Sequence, residues 1–367
     1  MKIVGPIAGI GSRLRPFTLS KPKAFIRVAG KTVLDHILIK FSNTFDDPET
    51  ELILIVGYKK RQIIDYINEN YGNKFKITYI EQTPRGYTSE HVPYYWGLGE
   101  AVYLANTRFK EGKFDTKEED KREGALVFLG DMILLDEYSY IMYRYYESDV
   151  DGIITVMKVP KEDASAYGVV VTDQNNLIKQ LVEKPKKFVS DLAIAGIYAF
   201  SNSAIHALFR NLKKYLDKRT EESKEVYMTE SMQDLVDQGY KIAAVELKKG
   251  ILDFGRPSEV LNGNRYLLEH QSISKDYYKN SNAIIDRSFI KNPNYFGNTT
   301  KIINSVIGPH VSIGENCIIE NSILRSCVIE NDCEIKNVIT ANSIIGSNVK
   351  VENISKDYLI IGDKSVY

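Results

Sequence analysis

The sequence predicts an α/β chain in which a mixed, mostly parallel sheet is followed by a parallel β-helix of hexapeptide repeats. Apolar runs of strand length alternate with helical patterns between residues 3 and 80, which is the rhythm of a parallel sheet with crossover helices. Beyond Asn282, aliphatic residues recur near every sixth position, which is typical of stacked β-helix coils. The 367 residues exceed the usual span of one core, so two domains are expected. We place them at residues 1–262 and 282–367, with a linker helix over residues 263–281.

Composition and charge exclude several classes of protein. The chain has 48 basic and 48 acidic residues, so a nucleic-acid or anionic-membrane surface is not expected. No segment approaches the ~20 apolar residues of a membrane span, and Arg13 and Arg15 stand where a signal peptide needs its apolar stretch. We therefore expect a cytoplasmic protein. The cysteines, Cys317, Cys327 and Cys333, lack C-x-x-C spacing, which argues against zinc and disulfides and favours small buried hydrophobes.

The first strand leads into the segment that carries most of the expected chemistry. Ile3–Ile7 is a short apolar run, which enters a turn containing Gly9 and Gly11 and then two cations, Arg13 and Lys23. Glycines let the backbone approach a ligand closely, and successive free N–H groups can bind phosphate oxygens. The spacing matches neither the G-x-G-x-x-G pattern nor the Walker A loop. The residues outline a nucleoside triphosphate site, with an ordinary strand-to-helix turn as the alternative.

The next elements continue the alternation of strand and helix. Helical patterns over Thr32–Phe41 and Arg61–Asn70 alternate with apolar runs at Leu52–Val56 and Ile77–Ile80, which we predict as parallel strands. Ligands of such sheets bind beyond the carboxyl ends of the strands. Because Gln82 follows the third strand directly, its amide could read the edge of a base or cap a turn.

An aspartate at a strand end is the first candidate metal ligand. Residues 83–96 are an aromatic insertion, for which a lid and a plain surface loop are the two interpretations. Residues 110–123 have the composition of a solvated, charged connection. Ala125–Leu129 is then predicted as a buried strand, which delivers Gly130 and Asp131 to the carboxyl edge. There the carboxylate could hold a divalent metal or cap the following helix.

The rest of the α/β domain is predicted to contain one helix and further strands. Residues 136–148 have the pattern of a partly exposed helix, and Gly152–Lys158 has that of a strand. Tyr167–Val170 and Leu181–Pro185 should form a hairpin, and Ala193–Phe200 should form a long apolar strand.

The β-helix prediction rests on an aliphatic ladder. Its members are Ile307, Ile313, Ile319, Ile329, Ile335, Ile345 and Val351. Short strands at this interval stack into coils, of which roughly three or four fit before Tyr367. His310 could be an acyltransfer base, but a structural role is the favoured interpretation. Because the flank of a β-helix favours self-association, we expect a homo-oligomer, either a dimer or a tetramer.

The opening segment carries a signature. The pattern G-x-G-[TS]-R-L-x-P-x-T followed by P-K stands as Gly9, Gly11, Ser12, Arg13, Leu14, Pro16, Thr18, Pro22 and Lys23. Further motifs follow in order: L-G-D ending at Asp131, Y-G-V-V from Tyr167, V-E-K-P from Val182, and D-x-G-x-P from Asp253. On these motifs the chain resembles the sugar-1-phosphate nucleotidyltransferases, or NDP-sugar pyrophosphorylases. The resemblance implies a Rossmann-like catalytic domain over residues 1–262 and a left-handed β-helix.

The resemblance also implies a role for each candidate residue. Implied nucleotide-binding residues are Ala8, Gly9, Gly11, Ser12, Gln82 and Gly97. The insertion leaves open whether Gly86 or Gly97 lies at the base. Implied sugar-binding residues are Gly168, Glu183, Ile194 and Gly196. Implied catalytic cations are Arg13, Lys23 and Lys184, and implied Mg²⁺ ligands are Asp131 and Asp253.

One position bears on the choice of sugar. Ile194, two residues before Gly196, resembles glucose-type members, whereas N-acetylglucosamine-type members tend to carry Asn there. Asp191 and Glu230 depart from the glucose pattern, in which Asn and Asp are usual. The resemblance implies transfer from dTTP or UTP to glucose 1-phosphate, releasing pyrophosphate, without choosing between the nucleotides. The alternatives are an N-acetylglucosamine-1-phosphate uridylyltransferase, a GDP-mannose or ADP-glucose pyrophosphorylase, and a catalytically silent regulatory subunit of the same fold.

Overall fold

The structure, a computed structural model, describes residues 1–45, 47, 49–89, 91–219, 225–270 and 282–367. The chain divides into two compact units. Unit 1 contains Met1–Gly9 and Ile37–Ile251, and unit 2 contains Ile10–His36 and Leu252–Tyr367. The segment that carries Arg13 therefore belongs to the same unit as the C-terminal strands. Among the described residues, no helix is long and apolar enough to cross a membrane.

The secondary structure alternates as expected over the first 270 residues. The helices are α1 (Val33–Thr44), α2 (Lys60–Tyr71), α3 (Gly97–Leu104), α4 (Lys117–Arg122), α5 (Tyr138–Glu147), α6 (Asn202–Asp217), α7 (Met228–Asp237) and α8 (Pro257–His270). The strands of this part are β1 (Lys2–Pro6), β2 (Arg27–Val28), β3 (Lys31–Thr32), β4 (Glu51–Val56), β5 (Lys76–Glu81), β6 (Gly86–Tyr87), β7 (Pro93–Tyr94), β8 (Ala125–Val127), β9 (Met132–Leu134), β10 (Gly152–Lys158), β11 (Gly168–Thr172), β12 (Ile178–Glu183), β13 (Leu192–Phe200), β14 (Ile242–Glu246) and β15 (Ile251–Asp253).

Unit 1 is built on a nine-stranded mixed sheet, which confirms the predicted fold class. Seven strands follow the order β12-β11-β13-β8-β1-β4-β5, and β10 pairs with both β13 and β14. The pairs β1–β4, β4–β5, β1–β8 and β10–β14 are parallel, whereas β13 runs antiparallel to β8, β10 and β11. Strand β4 is buried along its whole length because helices cover both faces of such a sheet. The parallel strands end at one edge, which is where ligands of this architecture bind.

Two stretches of unit 1 are more structured than the sequence pattern predicts. The charged connection contains α4, whose Thr116 side chain accepts the Glu119 N–H while the Glu119 side chain returns to the Thr116 N–H. This capping box explains why a short helix forms within a run of charges. The aromatic insertion contains the hairpin β6–β7, in which Gly86 faces Tyr94.

Unit 2 contains a parallel β-helix from Ile284 to the C-terminus. Its strands are β16 (Ile284–Asp286), β17 (Phe289–Ile290), β18 (Asn294–Phe296), β19 (Lys301–Ile303), β20 (Val306–Ile307), β21 (Val311–Ile313), β22 (Ile318–Glu320), β23 (Ile323–Arg325), β24 (Val328–Ile329), β25 (Glu334–Ala341), β26 (Ile344–Ile345), β27 (Lys350–Ser355) and β28 (Ile360–Ile361). The predicted ladder is buried throughout, and Ile319, Ile335 and Val351 stack in register. The parallel strands are consistent with the left-handed form.

Each turn of the β-helix is shorter than three hexapeptides. Ile302 pairs with Ile319, Ile319 with Ile335, and Ile335 with Val351, so successive turns advance by 17, 16 and 16 residues. A single residue in the left-handed region forms each tight corner, a conformation that asparagine tolerates. These short corners are why the ladder departs from a six-residue step between Ile319 and Ile329 and between Ile335 and Ile345.

One corner repeats asparagine in four consecutive turns. The residues are Asn304, Asn321, Asn337 and Asn353, with φ between 49° and 58°. Each side-chain amide nitrogen donates to the next side-chain oxygen, at 2.7, 3.3 and 2.9 Å. The side chains thus form a continuous hydrogen-bonded ladder, which we call the asparagine ladder.

The three cysteines are fully buried free thiols in the β-helix core, as predicted. The Cys317 thiol donates to the Glu330 carbonyl at 3.0 Å, and burial raises the pKa of the Cys327 thiol to about 12. The Cys327 thiol therefore stays protonated at neutral pH, and the three buried cysteines act as packing groups.

Helix α8 precedes the β-helix and is docked to it. Helix α8 begins six residues before the predicted linker helix, and residues 271–281 of that prediction lie outside the described residues. The Asn264 amide nitrogen donates to the His310 carbonyl at 3.3 Å, and its oxygen accepts from the Ser312 hydroxyl at 2.7 Å. His310 Nε2 lies 2.7 Å from the Glu269 carboxylate. Because His310 contacts α8 through both its carbonyl and its ring, these contacts favour a structural role over that of an acyltransfer base.

Candidate active site

The carboxyl edge of the unit 1 sheet brings together two of the predicted nucleotide-binding residues. A Cβ built on Gly57 would lie 2.9 Å from the Ala8 Cβ and 3.2 Å from the Gln82 carbonyl oxygen. The Tyr58 N–H donates to the Ala8 carbonyl at 3.3 Å, and the Gln82 N–H donates to the Val56 carbonyl at 2.8 Å. Ala8 and Gln82 therefore flank Gly57, beyond the ends of β1, β4 and β5.

The Gln82 side chain is held in one orientation by a buried carboxylate. Its Nε2 donates to Glu100 Oε2 at 2.8 Å and lies 3.4 Å from the Gly97 carbonyl. Glu100 is 1% exposed and also accepts the Trp96 N–H at 3.0 Å. A carboxylate accepts hydrogen bonds only, so it requires the amide nitrogen of Gln82 on its side. The Gln82 Oε1 acceptor is thereby directed away from Glu100.

Gly97, rather than Gly86, lies beside Gln82. Gly97 has φ of 84° at the start of α3, which glycine adopts without strain. A Cβ on Gly86 would instead lie 2.6 Å from the Tyr94 ring in the hairpin. Of the two glycines left open by the sequence, Gly97 is therefore the one next to the Gln82 side chain.

The aromatic insertion packs against this region through a cation–π stack. The Arg85 guanidinium carbon lies 4.3 Å from the Trp96 ring centroid, and that of Arg219 lies 4.7 Å from the same ring. Arg85 also contacts Glu100 Oε1 at 2.5 Å. The insertion is therefore anchored to the carboxylate that orients Gln82, whereas Tyr87 at its tip remains 65% exposed.

Asp131 lies half-buried between β8 and β9, directly before β9 begins, and follows a glycine that allows a close approach. A Cβ on Gly130 would lie 2.1 Å from Ile7 Cγ2, so only glycine fits beside the end of β1. Gly196 has φ of 77°, and a Cβ there would lie 2.8 Å from Leu129 Cδ1. The predicted sugar-binding glycine thus borders the segment that presents Asp131.

Three predicted sugar-binding residues form one cluster with Thr229. A Cβ on Gly168 would lie 3.1 Å from Glu183 Oε2, 3.1 Å from Ile194 Cδ1 and 3.3 Å from Thr229 Oγ1. Gly168 and Glu183 are register partners in the β11–β12 hairpin. The Thr229 hydroxyl donates to Glu183 Oε2 at 2.6 Å. Sequence reasoning missed Thr229, although it directly precedes Glu230, which departs from the family pattern.

Lys184 lies at the edge of this cluster. Its Nζ is 3.4 Å from Glu183 Oε1 and 5.2 Å from the Tyr227 ring centroid, and about half of its side chain is exposed. An exposed ammonium next to a hydroxyl-binding carboxylate can bind the phosphate of a sugar phosphate. Burial, together with the Glu183 and Asp234 charges, raises the pKa of Glu230.

Unit 2 carries the glycine loop and its cations. Gly11 has φ of 66°, and a Cβ there would lie 3.0 Å from the Lys23 Cβ, so the loop packs against the stem of Lys23. Ser12, which is exposed, begins a short 3₁₀ helix, Ser12–Leu14, that presents Arg13 to solvent. A Cβ on Gly255 would lie 3.3 Å from Arg13 Nη2 and 3.4 Å from Asp253 Oδ1. The predicted Arg13 and Asp253 side chains therefore flank the same glycine.

The two aspartates have the chemistry of Mg²⁺ ligands. Asp131 and Asp253 are half-buried carboxylates at strand ends, and Mg²⁺ prefers one or two carboxylates together with phosphate oxygens and water. Within the described part of the chain, no group of three or more His, Cys, Asp or Glu side chains could hold a metal. The chemistry of each carboxylate thus fits a metal that is bound together with a phosphate ligand.

Comparison with known proteins gives consistent results. A family model described as nucleotidyl transferase matches residues 7–270. The chain is 32% identical over 296 residues to bifunctional protein GlmU from Methanococcus maripaludis, covering 78% of this chain and 61% of the relative. It is 30% identical over 259 residues to UTP–glucose-1-phosphate uridylyltransferase AglF from Haloferax volcanii, covering 71% of this chain and 93% of the relative.

A solved structure shares the fold at low sequence identity. UDP-glucose pyrophosphorylase from Acinetobacter baumannii aligns with a TM-score of 0.56 and 20% identity, over 76% of this chain and 97% of that chain. The matched part spans 53–61% of the length of the first four GlmU relatives.

Proposed function

Because the chain belongs to the nucleotidyl transferase family, we propose that it joins a nucleoside triphosphate, dTTP or UTP, to glucose 1-phosphate. The observation that carries the proposal is the cluster of Gly168, Glu183, Ile194 and Thr229 beside Lys184. It combines a hydroxyl-binding carboxylate with a phosphate-binding ammonium, as a sugar 1-phosphate requires. Among the relatives, AglF is named as a uridylyltransferase that acts with glucose 1-phosphate.

The proposed reaction is an in-line displacement at phosphorus. An oxygen of the sugar phosphate forms a bond to the α-phosphorus, and the bond from that phosphorus to the β-bridging oxygen breaks. Pyrophosphate leaves with the electron pair. The nucleophile is already anionic, so no general base is required, and the protein contributes positioning and charge stabilisation.

Three cations have proposed roles in this step. Arg13 would stabilise the charge of the departing pyrophosphate, and Lys23 would bind the triphosphate alongside the backbone of Gly9, Gly11 and Ser12. Lys184 would bind the incoming sugar phosphate. Arg13 and Lys184 are substantially exposed, which leaves their charged groups accessible to ligands.

Asp131 and Asp253 would hold Mg²⁺, and the ion, when bound, supplies neutralising charge to the phosphate oxygens. Carboxylates are the protein ligands expected for such an ion. Gly255 keeps the space next to the Asp253 carboxylate free of a side chain, which supports the assignment of Asp253 to ligand binding.

The fixed orientation of Gln82 supports a base that carries a ring N–H. Its free Oε1 is an acceptor, which matches the N3–H of uracil and thymine but not the unprotonated N3 of cytosine or N1 of adenine. Guanine also carries a ring N–H, so GTP remains an alternative on this contact. UTP and dTTP differ by one methyl and one hydroxyl group, and no described contact chooses between them.

Ile194 supports glucose over N-acetylglucosamine. Its Cδ1 lies 3.1 Å from the Cβ position of Gly168, so this position presents an apolar group to the cluster. N-acetylglucosamine-type members tend to carry Asn at the same position. N-acetylglucosamine-1-phosphate uridylyltransfer and GDP-mannose or ADP-glucose synthesis are the enzymatic alternatives. A silent regulatory subunit is the non-enzymatic one.

The test is a matrix of pyrophosphate-release assays with Mg²⁺. UTP, dTTP, ATP, CTP and GTP are crossed with the 1-phosphates of glucose, N-acetylglucosamine, galactose and mannose. Turnover with UTP or dTTP and glucose 1-phosphate is the expected result. Preference for the N-acetylated sugar would refute the Ile194 argument, and absence of turnover with every pair would favour the regulatory alternative.

A further inference from the structure

A third lysine of the opening segment, Lys21, is buried rather than presented to a ligand. Lys21 is 9% exposed, and its ammonium contacts the Glu330 carboxylate and lies 3.0 Å from Asp363 Oδ1. Glu330 is 3% exposed. All three residues belong to unit 2, in which the opening segment is packed against turns of the β-helix. A buried cation that contacts two carboxylates cannot also bind a phosphate, so Lys21 has a different role from Lys23.

The two carboxylates are themselves held by the β-helix. The Ser347 hydroxyl donates to Glu330 Oε2 at 2.8 Å, and the Ser347 N–H donates to Asp363 Oδ1 at 2.9 Å. The Ser20 hydroxyl donates to Asp363 Oδ2 at 2.6 Å, so a second residue of the opening segment joins the same cluster. Buried ion pairs are costly unless their remaining polar groups are satisfied, and here both carboxylates have further donors.

A second contact fixes the other end of the same segment. A Cβ on Gly362 would lie 2.9 Å from the Pro16 Cβ, so the proline ring packs directly on the last turn of the β-helix. Residues 16–21 are thus attached at both ends. Arg13 precedes this attached stretch and Lys23 follows it, so both proposed phosphate ligands flank it.

We infer that Lys21, Glu330 and Asp363 are positioning residues for the triphosphate-binding loop, an inference that rests on the proposed function. The β-helix then serves as a rigid support that fixes where Arg13 and Lys23 present their charges. An ordered loop binds a polyphosphate more tightly than a mobile one, because the ordering cost is met during folding.

The experiment uses the full-length chain with Lys21→Met and Glu330→Gln. Glu330→Gln keeps the shape of the side chain and an acceptor for Ser347, so it removes the ion pair while retaining the packing. The matched control is Lys121→Met, because Lys121 is also buried but donates to the Tyr145 carbonyl within unit 1. Hydrogen exchange of residues 10–25 and separate KM values for the two substrates are measured.

We expect amide exchange in residues 10–25 and the KM for the nucleoside triphosphate each to rise about tenfold in both variants, the size of typical coupling through a packed network. The KM for the sugar 1-phosphate should stay within about twofold of wild type. Lys121→Met should leave all three quantities unchanged. Unchanged exchange in Lys21→Met and Glu330→Gln would overturn the inference. Faster exchange with unchanged KM values would also overturn it, because the loop would be attached but not positioned.

These readouts separate the inference from the proposed function. If the wild-type chain releases no pyrophosphate from any substrate pair, the proposed function fails. Triphosphate affinity measured by equilibrium titration then replaces KM, and the exchange data still decide whether the β-helix orders the loop.

Discussion

The orientation of Gln82 makes Glu100→Met a sharp test of base recognition. Glu100 Oε2 accepts from Gln82 Nε2 at 2.8 Å and from the Trp96 N–H at 3.0 Å. Methionine fills similar space without an acceptor, so the Gln82 amide can rotate and present its NH₂ group to the base. A hydrogen bond to a charged group is worth about 1.5–3 kcal/mol, which corresponds to roughly 10- to 150-fold in orientational preference.

The assay compares kcat/KM for UTP and CTP at saturating glucose 1-phosphate. We expect the preference for UTP to fall by about tenfold or more in Glu100→Met. The NH₂ group of a rotated amide can donate to N3 of cytosine as well as to a carbonyl oxygen of uracil. Glu100→Gln is the matched control, since its single oxygen can replace Oε2 and keep both hydrogen bonds while the Arg85 ion pair is lost. An unchanged UTP preference in a folded Glu100→Met protein would refute the role of Glu100 in orienting Gln82.

Three further predictions concern the remaining carboxylates and their partners. Asp131→Ala should lower kcat/KM by ~10³-fold, as expected for loss of a main charge stabiliser, and near-normal turnover would contradict its metal role. Thr229→Val should raise the KM for the sugar 1-phosphate by about tenfold, because Glu183 loses the hydroxyl donor at 2.6 Å, while an equal rise in the nucleotide KM would contradict a sugar-specific role. The raised pKa of Glu230 means that its contribution to stability is present below the ordinary glutamate pKa of 4.5 and is lost as pH rises through the higher pKa of the folded state. Thermal unfolding of Glu230→Gln from pH 4 to 8 should therefore show a gain over wild type that grows with pH, and a gain independent of pH would exclude this titration.

The periodicity of the sequence was sufficient to predict both architectures. The apolar run at residues 52–56 could be read as a fully buried parallel strand because both faces of β4 are covered. The β-helix ladder could be read because Ile319, Ile335 and Val351 repeat nearly the same interval and stack in register. In each case one physical requirement, burial of an apolar face, determines the pattern of many residues.

Other features depend on contacts between distant segments and leave no local pattern. Thr229 reaches Glu183 across 46 residues, and Lys21 reaches Glu330 across 309. Residue type did not distinguish the buried Lys21 from Lys23, the proposed triphosphate ligand, because both are lysines beside Pro22. The irregular steps between Ile319 and Ile345 indicated that some corners deviate, but not that a single left-handed asparagine such as Asn337 forms them.

The asparagine ladder gives the β-helix a modular length. Because Asn321, Asn337 and Asn353 occupy equivalent corners 16 residues apart, each turn presents the same edge to the next. Insertion or deletion of one whole 16-residue turn would restore every cross-turn pairing, as in other repeat proteins whose units contact only their neighbours. An insertion of any other length would shift the register of the stack. Turn number can therefore change in evolution by whole units, provided that the turns carrying Glu330 and Asp363 keep their place beneath Lys21.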